Sequence, residues 1–196
     1  MTLGSAHATH WSERLRLEFD AADARAIAVA GGLTSEQLNW RRTPAEWSVG
    51  QCLDHLAVLN EVYLRALAPP LSHQRHAIVS EITPGWLGRW FIRNYVEPTA
   101  TTRRLRAPRK IKPATQVTPA VLDRFLRSNQ EIRGFIERAR EYNVNRIRFI
   151  NPFVWIVRFT IGTGLEILSQ HERRHLLQAE RVRAALVAVS PTLRDV

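Results

Sequence analysis

Gln170-His171-Glu172-Arg173-Arg174-His175 sets two imidazoles four residues apart inside an apolar-periodic run from about Thr163 to Val189. The periodicity predicts a helix. On a helix, residues four apart share a face one turn up, so both rings can reach a single point. The inward stripe reads Leu168, His171, His175, Ala179, Val182, Leu186 and Val189 in steps of three and four, which puts both histidines on the packing face. Glu172, Arg173 and Arg174 are then expected to point away into solvent. Two imidazoles do not make a metal site, and a buried pair hydrogen-bonded to backbone fits the same pattern.

A third imidazole lies upstream. In Trp47-Ser48-Val49-Gly50-Gln51, Ser48 can cap the amide three residues on while Gln51 reaches back to the Ser48 amide, which predicts a helix start. That helix is expected to run to about Ala68 and stop at Pro69-Pro70, with an inward stripe of Cys52, His55, Leu59, Val62 and Ala66. His55 would thus face the core. Three neutral imidazoles with an open fourth position are the ligand set of a catalytic or ligand-exchanging zinc site, although nickel or iron(II) also accepts imidazole. The open position could activate a water or hold a thiol cofactor as its thiolate. No general base stands out. Glu61 and Glu166 fall off the faces of the proposed ligands, and Cys52, one turn before His55, is either a fourth ligand or an inert buried thiol.

Two further helices complete the pattern. The first begins near Trp11 with Ser12 as N-cap, buries Trp11, Leu15, Phe19, Ala22, Ala26 and Val29, and stops at Gly31-Gly32. A capping box at Thr34 to Gln37 opens a short turn. Thr118-Pro119 reads as a cap followed by proline at the first helical position. The helix it opens should reach Glu141 or Tyr142, with Val121 or Leu122, Phe125, Asn129, Ile132, Ile136 and Ala139 inward. Asn129 is a polar residue facing the core, placed either to contact a bound cofactor or to bond backbone. Asn143 to Thr160 connects to the last helix, with Asn151-Pro152 as a turn and the Phe153 to Phe159 run too short to classify, and no convincing alternating strand is present. Four long amphipathic segments predict an all-α, four-helix bundle with an irregular basic insertion, residues 71–117, between the second and third long helices.

Length and composition agree. The 196 residues fit one domain, 1–196, and 45% hydrophobic with 23% charged residues is ordinary for a globular chain. The single cysteine excludes an internal disulfide framework, and the N-terminus lacks the basic and apolar regions of a secretory signal, so a cytoplasmic location is expected. Phe149 to Leu168 is too interrupted by polar residues to span a bilayer. The net charge of +10 is uneven: from Trp86 to Pro113 eight basic residues face Glu97 alone. Such a run attracts nucleic acid, an anionic membrane or an anionic small-molecule substrate, or is a solvated loop. Trp86, Trp90 and Phe91 interleaved with Arg89 and Arg93 form either a membrane-surface or partner helix, or aromatics tucked against the core. His73 and His76, in a loop-like stretch without helical spacing, carry little weight as ligands.

Trp47-Ser48-Val49-Gly50-Gln51 with His55-Leu56, followed near the C-terminus by His171-Glu172-Arg173-Arg174-His175-Leu176-Leu177-Gln178, resembles the DinB-like superfamily from about Trp11 to Val187. The resemblance implies an up-down-down-up four-helix bundle and a divalent metal, usually zinc or nickel, on three histidines, which by position are His55, His171 and His175. Related members are metal-dependent thiol transferases or isomerases that use the low-molecular-weight thiols bacillithiol or mycothiol, and some are proposed hydrolases. It therefore implies a metalloenzyme for thiol transfer to small electrophiles or for hydrolysis. Two alternatives stand beside it: a non-catalytic metal-stabilised bundle, and a basic module binding nucleic acid or anionic membrane through Arg103 to Lys112. Bundles often dimerise, so a homodimer is open, although no stripe demands one.

Overall fold

The computed structural model describes residues 10–72, 74–97 and 107–190. In chain order its helices are α1 (Trp11–Ala30), α2 (Ser35–Asn39), α3 (Val49–Leu71), α4 (Trp86–Phe91), α5 (Ala120–Ala139) and α6 (Ile161–Val189). Cross-helix pairs give the directions of the four long ones. Arg14 reaches Glu166 and Arg25 reaches Glu180, so α1 and α6 run parallel. Asp23 bonds Asn129 and Arg133 while Asp20 pairs with Arg133, so α5 runs against α1. Arg124 joins Asp54 and Asn60 meets Ser128, which makes α3 and α5 parallel. The result is an up-down-down-up bundle.

Local chemistry explains the helix ends. The capping boxes Thr34–Gln37 and Ser48–Gln51 are both complete, each satisfying two amides that no helical carbonyl can reach. Gly50 is glycine because a Cβ there would lie 2.2 Å from Val117 Cγ2 and 3.0 Å from the Leu38 carbonyl. Gly32, at φ 74°, turns the chain after α1 in a backbone conformation that costs glycine little.

Several expectations are corrected. His10, not Ser12, is the N-cap of α1, its Nδ1 accepting from the Ser12 amide. Helix α3 continues through Pro69 and Pro70 to Leu71; the two carbonyls that lose their donors, on Arg65 and Ala66, belong to the last turns and to residues that are exposed and half-buried. Pro119 takes the N-cap position of α5 and no side chain caps it. The connection before α6 holds a hairpin of β1 (Arg148–Ile150) and β2 (Arg158–Thr160), with Phe149 opposite Phe159. Strands of three residues are too short to show alternation, and Asn151 builds the bend by accepting from the amides of Phe153 and Val154. Within Trp86 to Tyr95, α4 gives way to a π-helical turn at Ile92–Val96. There Phe91 packs on Phe159, but Trp86 and Trp90 are exposed rather than tucked in.

The α1 and α5 stripes are buried as expected, Val121 being the α5 alternative chosen, whereas those of α3 and α6 hold in part: Cys52, His55 and Leu59, and Leu168, His175, Ala179, Val182 and Leu186, are buried. The core line of α6 passes through Leu165, Leu168, Glu172, Leu176, Ala179, Val182 and Leu186, leaving His171 half-buried at its edge and Val189 exposed. On α3, Asn60, Tyr63 and Leu67 are buried where Val62 and Ala66 are only half so. Apolar packing falls into two clusters, one around Trp11, Tyr63, Phe135 and Phe149 and the other around Leu53, Leu56, Phe125 and Leu176. By chain position a buried polar layer of Asn60, Ser128, Asn129 and Glu172 lies between them. Among the described residues no helix is long and apolar enough to cross a membrane.

Candidate metal centre

His55 is carried by the second turn of α3, whose start the Ser48–Gln51 box determines, and His171 and His175 by consecutive turns of α6. The antiparallel packing of these helices brings one ring nitrogen of each histidine within 4.8 Å of the others. Ring centroids lie 4.5 Å apart for His171 and His175 and 4.7 Å for His55 and His175. The pairing proposed from periodicity is therefore spatial.

Hydrogen bonds orient two of the rings. His55 Nδ1 lies 2.6 Å from the Ile111 carbonyl, and His175 Nδ1 lies 3.1 Å from Gln178 Oε1. Both partners are acceptors, so each Nδ1 carries the proton and each Nε2 keeps a lone pair. His55 Nε2 faces His171 Nε2 at 2.9 Å. Burial lowers the proton affinity of all three imidazoles. The neighbouring histidines and the Arg174 cation lower His171 further, and Arg174 acts on the other two in the same direction. The cluster thus directs neutral donors at one region while disfavouring the proton that would otherwise sit there. That donor chemistry fits a divalent metal.

Trp47 forms one wall, its ring 5.4 Å from His175 at 27° and 4.8 Å from His55. Arg174, expected in solvent, is half-buried and donates to the Tyr95 carbonyl. Arg173 is exposed as expected. The insertion proves to be part of the site: Ala114 bonds Gln51 and Asp54, Asn39 and Val117 exchange hydrogen bonds, and this anchoring delivers the Ile111 carbonyl to His55. Arg109, Lys110 and Lys112 are exposed around that carbonyl, whereas Arg103, Arg104, Arg106 and His73 lie outside the described residues.

Glu172 overturns its expected outward placement. It is 1% exposed and accepts from Asn60 Nδ2 at 2.8 Å and Asn129 Nδ2 at 3.2 Å. Burial pushes its carboxyl up to about 8, against the opposing pull of the two amides. Asn129, fully buried, accepts from Asn60 through Oδ1 and donates to Asp23 as well as Glu172; it bonds side chains, not backbone. Glu61 pairs with Arg124 and Glu166 with Arg14. Cys52 is fully buried, its thiol pushed up by burial, and it is not among the residues that meet at the centre.

Periodicity found the three histidines but missed Trp47, Ile111 and Glu172. Gln178, three residues beyond His175, was visible in the motif, whereas nothing in the sequence pointed to the Ile111 carbonyl. No curated protein and no solved structure matches the chain. A sequence model of the DinB superfamily matches residues 18–179, from the middle of α1 past His175. On that match, and with this bundle and histidine cluster, the chain belongs to the DinB superfamily.

Proposed function

We propose that this protein is a divalent-metal enzyme in which His55, His171 and His175 hold zinc or nickel and leave a position open to a small substrate or a low-molecular-weight thiol. The observation that carries the reading is the convergence of one ring nitrogen from each of the three histidines within 4.8 Å, with the Nδ1–H bonds of His55 and His175 leaving their Nε2 atoms as lone-pair donors and His55 Nε2 facing His171. A metal so held supplies Lewis acidity, lowering the proton affinity of a water or thiol that reaches it. The chain's own contribution is orientation and charge. Trp47 screens one side of the cluster, and Arg174 adds a cation that favours anionic groups nearby. Among the described residues no free carboxylate stands at the centre to act as a base, which suits chemistry whose nucleophile is the thiolate or hydroxide itself, whether thiol transfer to an electrophile or hydrolysis.

The test is metal titration of protein purified without chelator, followed by turnover assays. Binding of near one equivalent, lost in His171→Ala and kept in His76→Ala, is expected; less than about a tenth of an equivalent would sink the reading. Turnover of chloro- or epoxide-bearing electrophiles with several thiols should then be lost in His55→Ala. Full metal occupancy with no wild-type turnover would leave a non-catalytic, metal-stabilised bundle.

A further inference from the structure

One end of the bundle, where α1 and α6 begin and α3 and α5 finish, is capped by α4 and the β1–β2 hairpin. The cap is firmly seated. Phe91 of α4 packs at a tilt 5.5 Å from Phe159 of β2, and a Cβ on Gly88 would lie 2.7 Å from Thr163 Cγ2. Its outer surface is unusual for a protein facing water. At the hairpin tip Val154, Trp155 and Ile156 are 46%, 82% and 69% exposed, and Ile150 is exposed on the strand before it. On α4, Trp86 and Trp90 stand one turn apart with Arg89 between them, and Arg93 follows in the π-helical turn; all four are exposed. Large aromatic and branched aliphatic side chains on a rigid projection cannot be accounted for by core packing, which Phe149, Phe153 and Val157 already serve.

Charge narrows the occupant. Residues 82–96 and 142–165 hold five arginines, Arg89, Arg93, Arg146, Arg148 and Arg158, and no aspartate or glutamate. None of the five pairs with a carboxylate among the described residues. In the hairpin register Ile150 lies opposite Arg158, so an apolar group and a cation share the outward face. Tryptophan and isoleucine interleaved with arginine, with Glu81, Glu97 and Glu141 only at the margins of these segments, match the interface of an anionic bilayer, where rings and aliphatic groups enter the acyl boundary and guanidinium groups meet phosphates. Nucleic acid fits less well, because Val154, Ile156 and Ile150 offer bases no stacking surface. No described helix can span a bilayer, so the contact is peripheral.

We propose that this end of the bundle docks on an anionic lipid surface, with the Val154-Trp155-Ile156 tip inserted and the arginines on the headgroups. His55 precedes Leu71 by 16 residues of α3, placing the histidine cluster about 24 Å from that end at 1.5 Å per residue. Insertion of the hairpin tip is therefore remote from the site, although the turn after α4 runs back toward it, with the Tyr95 carbonyl accepting from Arg174.

The experiment is flotation of the full chain with vesicles of phosphatidylcholine alone or mixed with phosphatidylglycerol, while tryptophan emission is recorded. Binding to the anionic vesicles, a blue shift, and weakening as salt is raised are expected. Trp155→Ser combined with Ile156→Ser should reduce binding by roughly tenfold or more, as should Arg148→Gln combined with Arg158→Gln. These positions are exposed, and unchanged circular dichroism confirms the fold. Equal binding to both vesicle types, undiminished binding of the tip variant, or no binding overturns the proposal. So does a self-association, measured by sedimentation, that the tip variant abolishes in place of vesicle binding, since the patch would then serve a second copy.

Discussion

Helix α6 presents two buried polar groups on adjacent faces, and they are built on opposite terms. Toward α3 and Trp47 it offers His171 and His175, neutral donors that converge with His55 on a common region. Toward the bundle axis it offers Glu172, whose oxygens are taken up by Asn60 and Asn129, with Asp23 and Arg133 behind them. The histidine cluster keeps lone pairs in hand; the Glu172 layer makes its hydrogen bonds among its own members, with Asn60 Oδ1 left unpartnered. The difference shows what each is suited to: the first to bind an ion, the second to hold α6 against α3 and α5 so that two ligands on one helix stay aimed at the third on another.

The sharpest break in that comparison is His171→Ala or His175→Ala, which should abolish stoichiometric metal binding by calorimetry while leaving the metal-free fold intact. Glu172→Ala should do the reverse. It removes an acceptor shared by Asn60 and Asn129, whose amides keep Ser128, Asn129 Oδ1 and Asp23 as partners, and opens a cavity, so urea denaturation of chelator-treated protein should show a loss of about 2–4 kcal/mol, with metal binding reduced but present.

The pH dependence of stability should also separate the two groups. In the metal-free protein Glu172 titrates near 8, against an ordinary 4.5 in the unfolded chain, so between those values the folded state holds one more proton. Stability from this group is complete below 4.5, declines as pH rises, and is lost above 8. The slope is at most about 1.4 kcal/mol per pH unit. Glu172→Gln, followed by denaturation from pH 5 to 8, should flatten this slope.

Smaller effects probe the supports. Gln178→Ala removes the acceptor that sets the His175 tautomer and should weaken metal binding by about tenfold without a measurable change in stability. Arg124→Gln, which unties a half-exposed ion pair from Asp54 and Glu61, should cost below about 1 kcal/mol by thermal melting and leave metal affinity unchanged.

Much of this was legible in residue order. Trp11 to Val29 and Val121 to Ala139 carry stripes whose members are all buried, because their inward positions are almost wholly apolar and the period is unambiguous. The Ser48–Gln51 box is local and read correctly. The α6 stripe was read correctly at Leu168, His175, Ala179, Val182 and Leu186 but missed Glu172, because at a helix position where every candidate is polar, hydrophobic periodicity cannot choose between neighbouring residues. The exposed Trp86 and Trp90 defeated the same reasoning in the other direction, since aromatic spacing alone does not say whether a surface is available to cover them.

The sequence by itself determined four long helices, the starts of α2 and α3 at their capping boxes, and three histidines on two of the long helices. These follow from interactions within a few residues, which order along the chain encodes directly. Tertiary structure alone decided that a carbonyl from the basic insertion would orient His55, that Trp47 would wall the cluster, and that Glu172 would find two amides in the core. Each depends on groups brought together from distant parts of the chain, where the free energy is set by desolvation and by which partner is within reach, not by period or propensity.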